Sequence, residues 1–133
     1  MYKNILLPTD GSDRSMRAVN AGVELAKVLN AKVTGLFVSQ QTYIPGVDED
    51  PKPRAEAALS EIAQRAKEAR VSSVCVSMLG DAPNDVIVEY AREKGCDLII
   101  MGTHGRSKVG KLFLGSTAAS VVASCEIPVL LYR

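Results

Sequence analysis

Residues 97–101, DLIIM, decide how this chain folds. Leu98, Ile99, Ile100 and Met101 follow one another with no polar residue between them. A strand points alternate side chains to opposite faces, so an unbroken apolar run needs cover on both. Strands of this kind belong to parallel sheets sandwiched between helices. A glycine-rich stretch, MGTHGRSKVGKLFLGSTAAS (residues 101–120), follows directly.

The flanking sequence repeats one alternation. Upstream, NDVIVEYAREK reads as a helix stopped at Gly95, with Pro83 at its start, where a missing N–H costs nothing. Residues 72–78, SSVCVSM, alternate as a strand with Val74, Val76 and Met78 on one face. Arg54 to Arg70 carries Ala55, Ala58, Leu59, Ile62, Ala63 and Ala66 at helical spacing. Residues 40–53 are expected to form a long loop, either a binding segment or a surface excursion. Residues 32–38, KVTGLFV, read as a strand, and Ser15–Leu29 as an amphipathic helix. Residues 2–7, YKNILL, are the first strand, which PTDGS breaks. Downstream, a helix runs from Gly115 to about Ser124, and IPVLLY is the fifth strand, with Pro128 near its start.

The order β-α-β-α-β-α-β-α-β predicts a three-layer α/β fold with a mainly parallel sheet and right-handed crossovers. One domain over residues 1–133 is expected. Ligands of such sheets sit beyond the carboxyl ends of the strands, at the topological switch point. The segments at those ends include PTDGS, VSQQ and GTHGR.

Composition narrows the function. The 133 residues are 47% hydrophobic and 23% charged, with a net charge of +1. That is globular usage without the basic excess of a nucleic-acid binder, so no nucleic-acid partner is expected. No apolar run approaches the roughly 18 residues of a membrane span, so no membrane partner is expected either. The N-terminal apolar run is shorter than the roughly 7–15 residues of a signal-peptide core, and a cytoplasmic location is expected. Cys75, Cys96 and Cys125 read as buried thiols, not as a zinc site, which needs about four close ligands.

The glycine stretch raises the question of phosphate. Gly105, Gly110 and Lys111 match a P-loop, but Leu112 stands where the magnesium-binding hydroxyl belongs. Gly105 also lies too far past Met101, and the dinucleotide fingerprint G-x-G-x-x-G is absent. A third pattern fits: Gly102, Gly105 and Gly115 at G-x2-G-x9-G, followed by Ser116 and Thr117. Gly102 would let a ligand approach the backbone, and Gly105 would turn N–H groups toward an anion. Gly115, Ser116 and Thr117 open a helix whose free N–H groups and dipole favour phosphate.

This glycine pattern after DLIIM, with PTDGS ending the first strand and IPVLLYR closing the chain, resembles the universal stress protein family in its nucleotide-binding branch. The resemblance covers essentially the whole sequence. It implies an adenine nucleotide alpha hydrolase-like fold, with a five-stranded sheet of order 3-2-1-4-5. It further implies ATP, or another adenine nucleotide, across the carboxyl edge of that sheet. Pro8, Thr9 and Asp10 would sit at the nucleotide, with Asp10 nearest the ribose, the phosphates or a bound Mg2+. Val38 would contact adenine. Met101, Gly102, His104 and Gly105 would line ribose and phosphates, with Arg106 in the same loop. Gly115, Ser116 and Thr117 would cradle phosphate. The last strand resembles the one through which family members form homodimers.

Other readings of these residues stand beside these. Asp10 also fits a cap or turn, and Ser116 an ordinary helix start. Arg106, Lys108 and Lys111 also read as solvated loop charges. His104 would need an orienting partner and a reachable substrate proton to act as acid or base, and the sequence shows neither. No catalytic residue is assigned. The reading favours an ATP-binding regulatory, stress-response module with little or no turnover. The alternatives are a slow ATPase or nucleotidyl-transferring enzyme, and an interaction protein whose glycines are only turns.

Overall fold

A computed structural model describes residues 1–40, 42–103 and 114–133. Five strands, β1 (Asn4–Thr9), β2 (Lys32–Ser39), β3 (Ser73–Leu79), β4 (Leu98–Gly102) and β5 (Val129–Tyr132), alternate with four helices. The helices are α1 (Asp13–Leu29), α2 (Lys52–Ala69), α3 (Pro83–Glu93) and α4 (Ser116–Ser124). All pairings between neighbouring strands are parallel, in the order β3-β2-β1-β4-β5.

The apolar run of β4 is explained by two separate cores. Leu98 and Ile100 pack with α1 and α2 through Met16, Val19, Val23 and Ile62. Ile99 and Met101 face the other way, against Ile87, Tyr90, Ala118 and Val121 of α3 and α4. Both faces of the central strands are therefore dry, as a parallel sheet requires.

The first strand runs further than its sequence suggests, through Pro8 to Thr9. The Lys3 carbonyl accepts from Lys32 N and the Asn4 carbonyl from Asp97 N, so successive residues face β2 and β4 in turn. By that alternation Leu6 and Pro8 both face β4. Pairing with β4 ends at Leu6↔Ile99, so Pro8 falls where no ladder donor is needed. On its other side β1 stays in register with β2 as far as Thr9↔Phe37. The two central strands thus part at Pro8, and that parting is the switch-point crevice.

Helix boundaries follow local chemistry. Ser12 caps α1, its hydroxyl accepting from Ser15 N at 3.2 Å. Asn30 and Arg70 close α1 and α2 in the left-handed conformation. Helix α2 starts at Lys52, two residues before the expected start, because prolines suit the first turn of a helix. Pro83 opens α3, and Gly95 follows its end with φ +68°.

β3 departs from expectation in its cover. Its side chains do alternate: Cys75 packs on the α1–α2 core and Val76 on the α3–α4 core. Val74 on the latter face is nevertheless 57% exposed, because β3 is an edge strand. Cys75, Cys96 and Cys125 are free thiols. Among the described residues, no helix is long and apolar enough to cross a membrane.

Candidate nucleotide site

A cavity of about 290 Å³ opens where β1 and β4 separate. Three layers build it. Pro8, Thr9 and Asp10 end β1 on one side; Met101, Gly102 and Thr103 end β4 on the other; Gly115, Ser116 and Thr117 close it at the start of α4. Leu36 and Val38 of β2, with Pro83 and Ile87 of α3, make an apolar slot beside them. Apolar walls with a few convergent polar groups are what a small-molecule site requires.

The polar end is ordered by backbone and hydroxyl groups. Gly11 takes φ +81°, which lets the chain turn sharply from β1 into α1. Its N–H donates to Thr9 Oγ1 at 3.0 Å, and Ser12 N donates to Asp10 Oδ1 at 2.9 Å. Ser15 Oγ donates to the same Asp10 oxygen at 3.0 Å. Asp10 is the one acidic or basic side chain among the described lining residues. Across the cavity, Gly115 N donates to the Thr103 carbonyl, tying the start of α4 to the end of β4. Among the described residues no side chain caps α4, whose first N–H groups and dipole favour an anion.

Gly102 lies beside the first turn of α1: a Cβ there would stand 3.4 Å from the Arg14 carbonyl oxygen and 3.5 Å from Ser15 Cα, at ordinary contact distance.

Of the residues singled out from sequence, Pro8, Thr9, Asp10, Val38, Met101, Gly102, Gly115, Ser116 and Thr117 all line this cavity. His104, Gly105 and Arg106 lie outside the described residues, as do Lys108 and Lys111. Ser15, Leu36, Pro83, Ile87, Thr103 and Ala118 line it without having been anticipated. Leu36 could have been found from strand alternation, two residues before Val38 on the same face. Pro83 and Ile87 come from α3, which packs beside α4 on one face of the sheet over Leu36, a placement no local pattern reveals. Among the described residues, no three His, Cys, Asp or Glu side chains gather into a metal cluster.

The family model for the universal stress protein family matches residues 1–133. The chain belongs to that family. A universal stress protein of Methanocaldococcus jannaschii is 33% identical, across 100% of this chain and 83% of its own length. One from Thermus aquaticus is 35% identical across 100% of both chains. Among solved structures, a universal stress protein in complex with cAMP superimposes with a TM-score of 0.78 at 27% identity, covering 99% of this chain and 97% of the other.

Proposed function

We propose that this universal stress protein binds ATP or another adenine nucleotide in the crevice between β1 and β4, and serves as a regulatory stress-response module with little or no turnover. The observation that carries this reading is one cavity joining the apolar slot of Leu36, Val38, Pro83 and Ile87 to the uncapped start of α4. A flat aromatic base suits the slot, and phosphate suits free helix N–H groups. A related protein of the same fold in complex with cAMP supports the same ligand class.

The residues present fit such a ligand. The described lining sets no fixed negative charge beside α4 except Asp10. Asp10 would face the ribose, the phosphates or a bound Mg2+, and one carboxylate with phosphate oxygens is a usual Mg2+ environment. His104, Gly105 and Arg106 would complete the phosphate end. Low turnover is favoured because, among the described lining residues, Asp10 is the one acidic or basic side chain, with no second such group to pair with it as acid and base. The second reading, a slow ATPase or nucleotidyl-transferring enzyme, would need a base from the 104–113 segment.

The reading includes a homodimer. Among the described residues β5 is the open edge beyond β4, and its Leu130 and Tyr132 are partly exposed. A second copy pairing along it would satisfy the unpaired edge and cover both side chains.

Isothermal titration with ATP tests the binding claim. Saturable heat at one site per chain is expected, and no heat at millimolar ATP would defeat it.

A further inference from the structure

We propose that Ser15 is the positioning residue of this site: it holds the Asp10 carboxylate so that Oδ2 stays open to a hydroxyl donor of the ligand. The proposal rests on the nucleotide reading for its ligand, and on hydrogen-bond geometry for its mechanism.

Ser15 is buried in the first turn of α1, wedged between the ends of β1 and β4. Its Oγ lies 2.6 Å from Thr9 Oγ1, 3.0 Å from Asp10 Oδ1 and 3.0 Å from the Ser12 carbonyl oxygen. A serine hydroxyl has a single proton to give. An ionised carboxylate is the strongest of the three acceptors, so it receives that proton. Thr9 then gives its proton to Ser15 Oγ in preference to Met16 Sδ, a weaker acceptor 3.3 Å away, while its own oxygen accepts from Gly11 N at 3.0 Å. The chain is thereby polarised in one direction, from Gly11 N–H to Thr9, to Ser15, to Asp10. Each bond strengthens the next.

The consequence falls on the two Asp10 oxygens. Oδ1 takes both protein donors, Ser12 N and Ser15 Oγ. Among the described residues Oδ2 accepts no hydrogen bond, although Asp10 lines the cavity. A carboxylate can only accept, and the ribose hydroxyls are the donors a nucleotide offers beside its base amino group. Ser12 alone would tether Oδ1 only through the chain's own short turn and leave the carboxylate able to rotate. Ser15 adds a second, rigid anchor from the helix, and so sets the carboxylate's rotation.

A double-mutant cycle on the full chain tests this. In the native background Ser15→Ala should weaken ATP binding by about tenfold, the size expected for a lost charge-assisted hydrogen bond. In an Asp10→Asn background it should cost less than about twofold, because Ser15 acts through Asp10. Equal losses in both backgrounds would overturn the proposal, since a merely structural serine would weaken both alike. A crystal structure of ligand-free Ser15→Ala gives a second readout. Asp10 in more than one rotamer is expected, and an unchanged single rotamer overturns the proposal. If the native protein binds no ATP, the nucleotide reading fails by itself, and the Asp10 rotamer still decides the role of Ser15.

Discussion

The aliphatic stem of Arg54 lies across Gly11, so that a Cβ added there would stand 2.6 Å from Arg54 Cγ. The first turn of α2 and the β1–α1 turn are thus packed together, and the Arg54 guanidinium reaches on to Glu49 at 2.6 Å. One arginine fastens the loop before α2 to the turn that carries Asp10. Gly11→Ala would need a left-handed alanine as well as a displaced Arg54 stem. It should cost about 1–3 kcal/mol, the usual range for a strained backbone position, and weaken ATP binding by moving Asp10. Urea melts and titration calorimetry on the same variant check both effects.

Gly115→Val separates binding from folding. Gly115 has φ −60° and ψ 154°, a conformation valine adopts readily. The fold should survive with a slightly lowered thermal midpoint, because valine is a poorer helix N-cap than glycine. The isopropyl group would stand at the uncapped start of α4, and ATP affinity should fall at least about tenfold as phosphate is held off. Retained affinity by calorimetry would count against α4 as the phosphate site.

The apolar slot makes a different forecast. Ile87 is 3% exposed and borders both the α3–α4 core and the cavity. Ile87→Ala should cost about 2–5 kcal/mol of stability by the usual large-to-small penalty. Added ATP should still raise the melting temperature of the variant, by less than it raises the native one.

At the far edge, Leu130→Glu with Tyr132→Glu should give a monomer. The two side chains are 39% and 40% exposed, so the substitutions disturb no core. Light scattering should report half the native mass with unchanged circular dichroism. A dimer of native mass would place the interface elsewhere.

A pH prediction comes from the buried thiol of Cys96. Burial pushes it up from 9.0, and the nearby Asp97 carboxylate pushes the same way. A raised acid favours its neutral form in the folded state, so the stability it contributes is present below the unfolded value. That stability is lost as pH rises toward the folded value. Burial raises Tyr90 too, with Cys96 adding to it, so the two act together. Denaturation midpoints should fall as pH rises above about 9, the ordinary thiol value, and fall less in Cys96→Ala.

The alternating α/β layout was legible because its signals were local, whereas the sheet order and the places of Pro8, Thr9, Asp10 and Val38 came only with the family resemblance. The run at Leu98–Met101 announced a doubly covered strand, and Gly115, Ser116 and Thr117 announced a helix start. What escaped was settled by tertiary placement. Pro8 looks like a strand breaker, yet it sits in β1, because the ladder to β4 ends two residues earlier. Val74 looks like a core residue, yet β3 is an edge. Ser15 looks like one more helix residue until Thr9 and Asp10 are seen at hydrogen-bond distance.

If the crevice beginning at Pro8 holds an adenine nucleotide without consuming it, bound ATP should persist intact. Mass spectrometry of nucleotide released after incubation with ATP and desalting, followed over time, tests it most directly. Intact ATP near one equivalent per chain, unchanged over hours, is the predicted result. No retained nucleotide, or rapid conversion to ADP, would contradict the account.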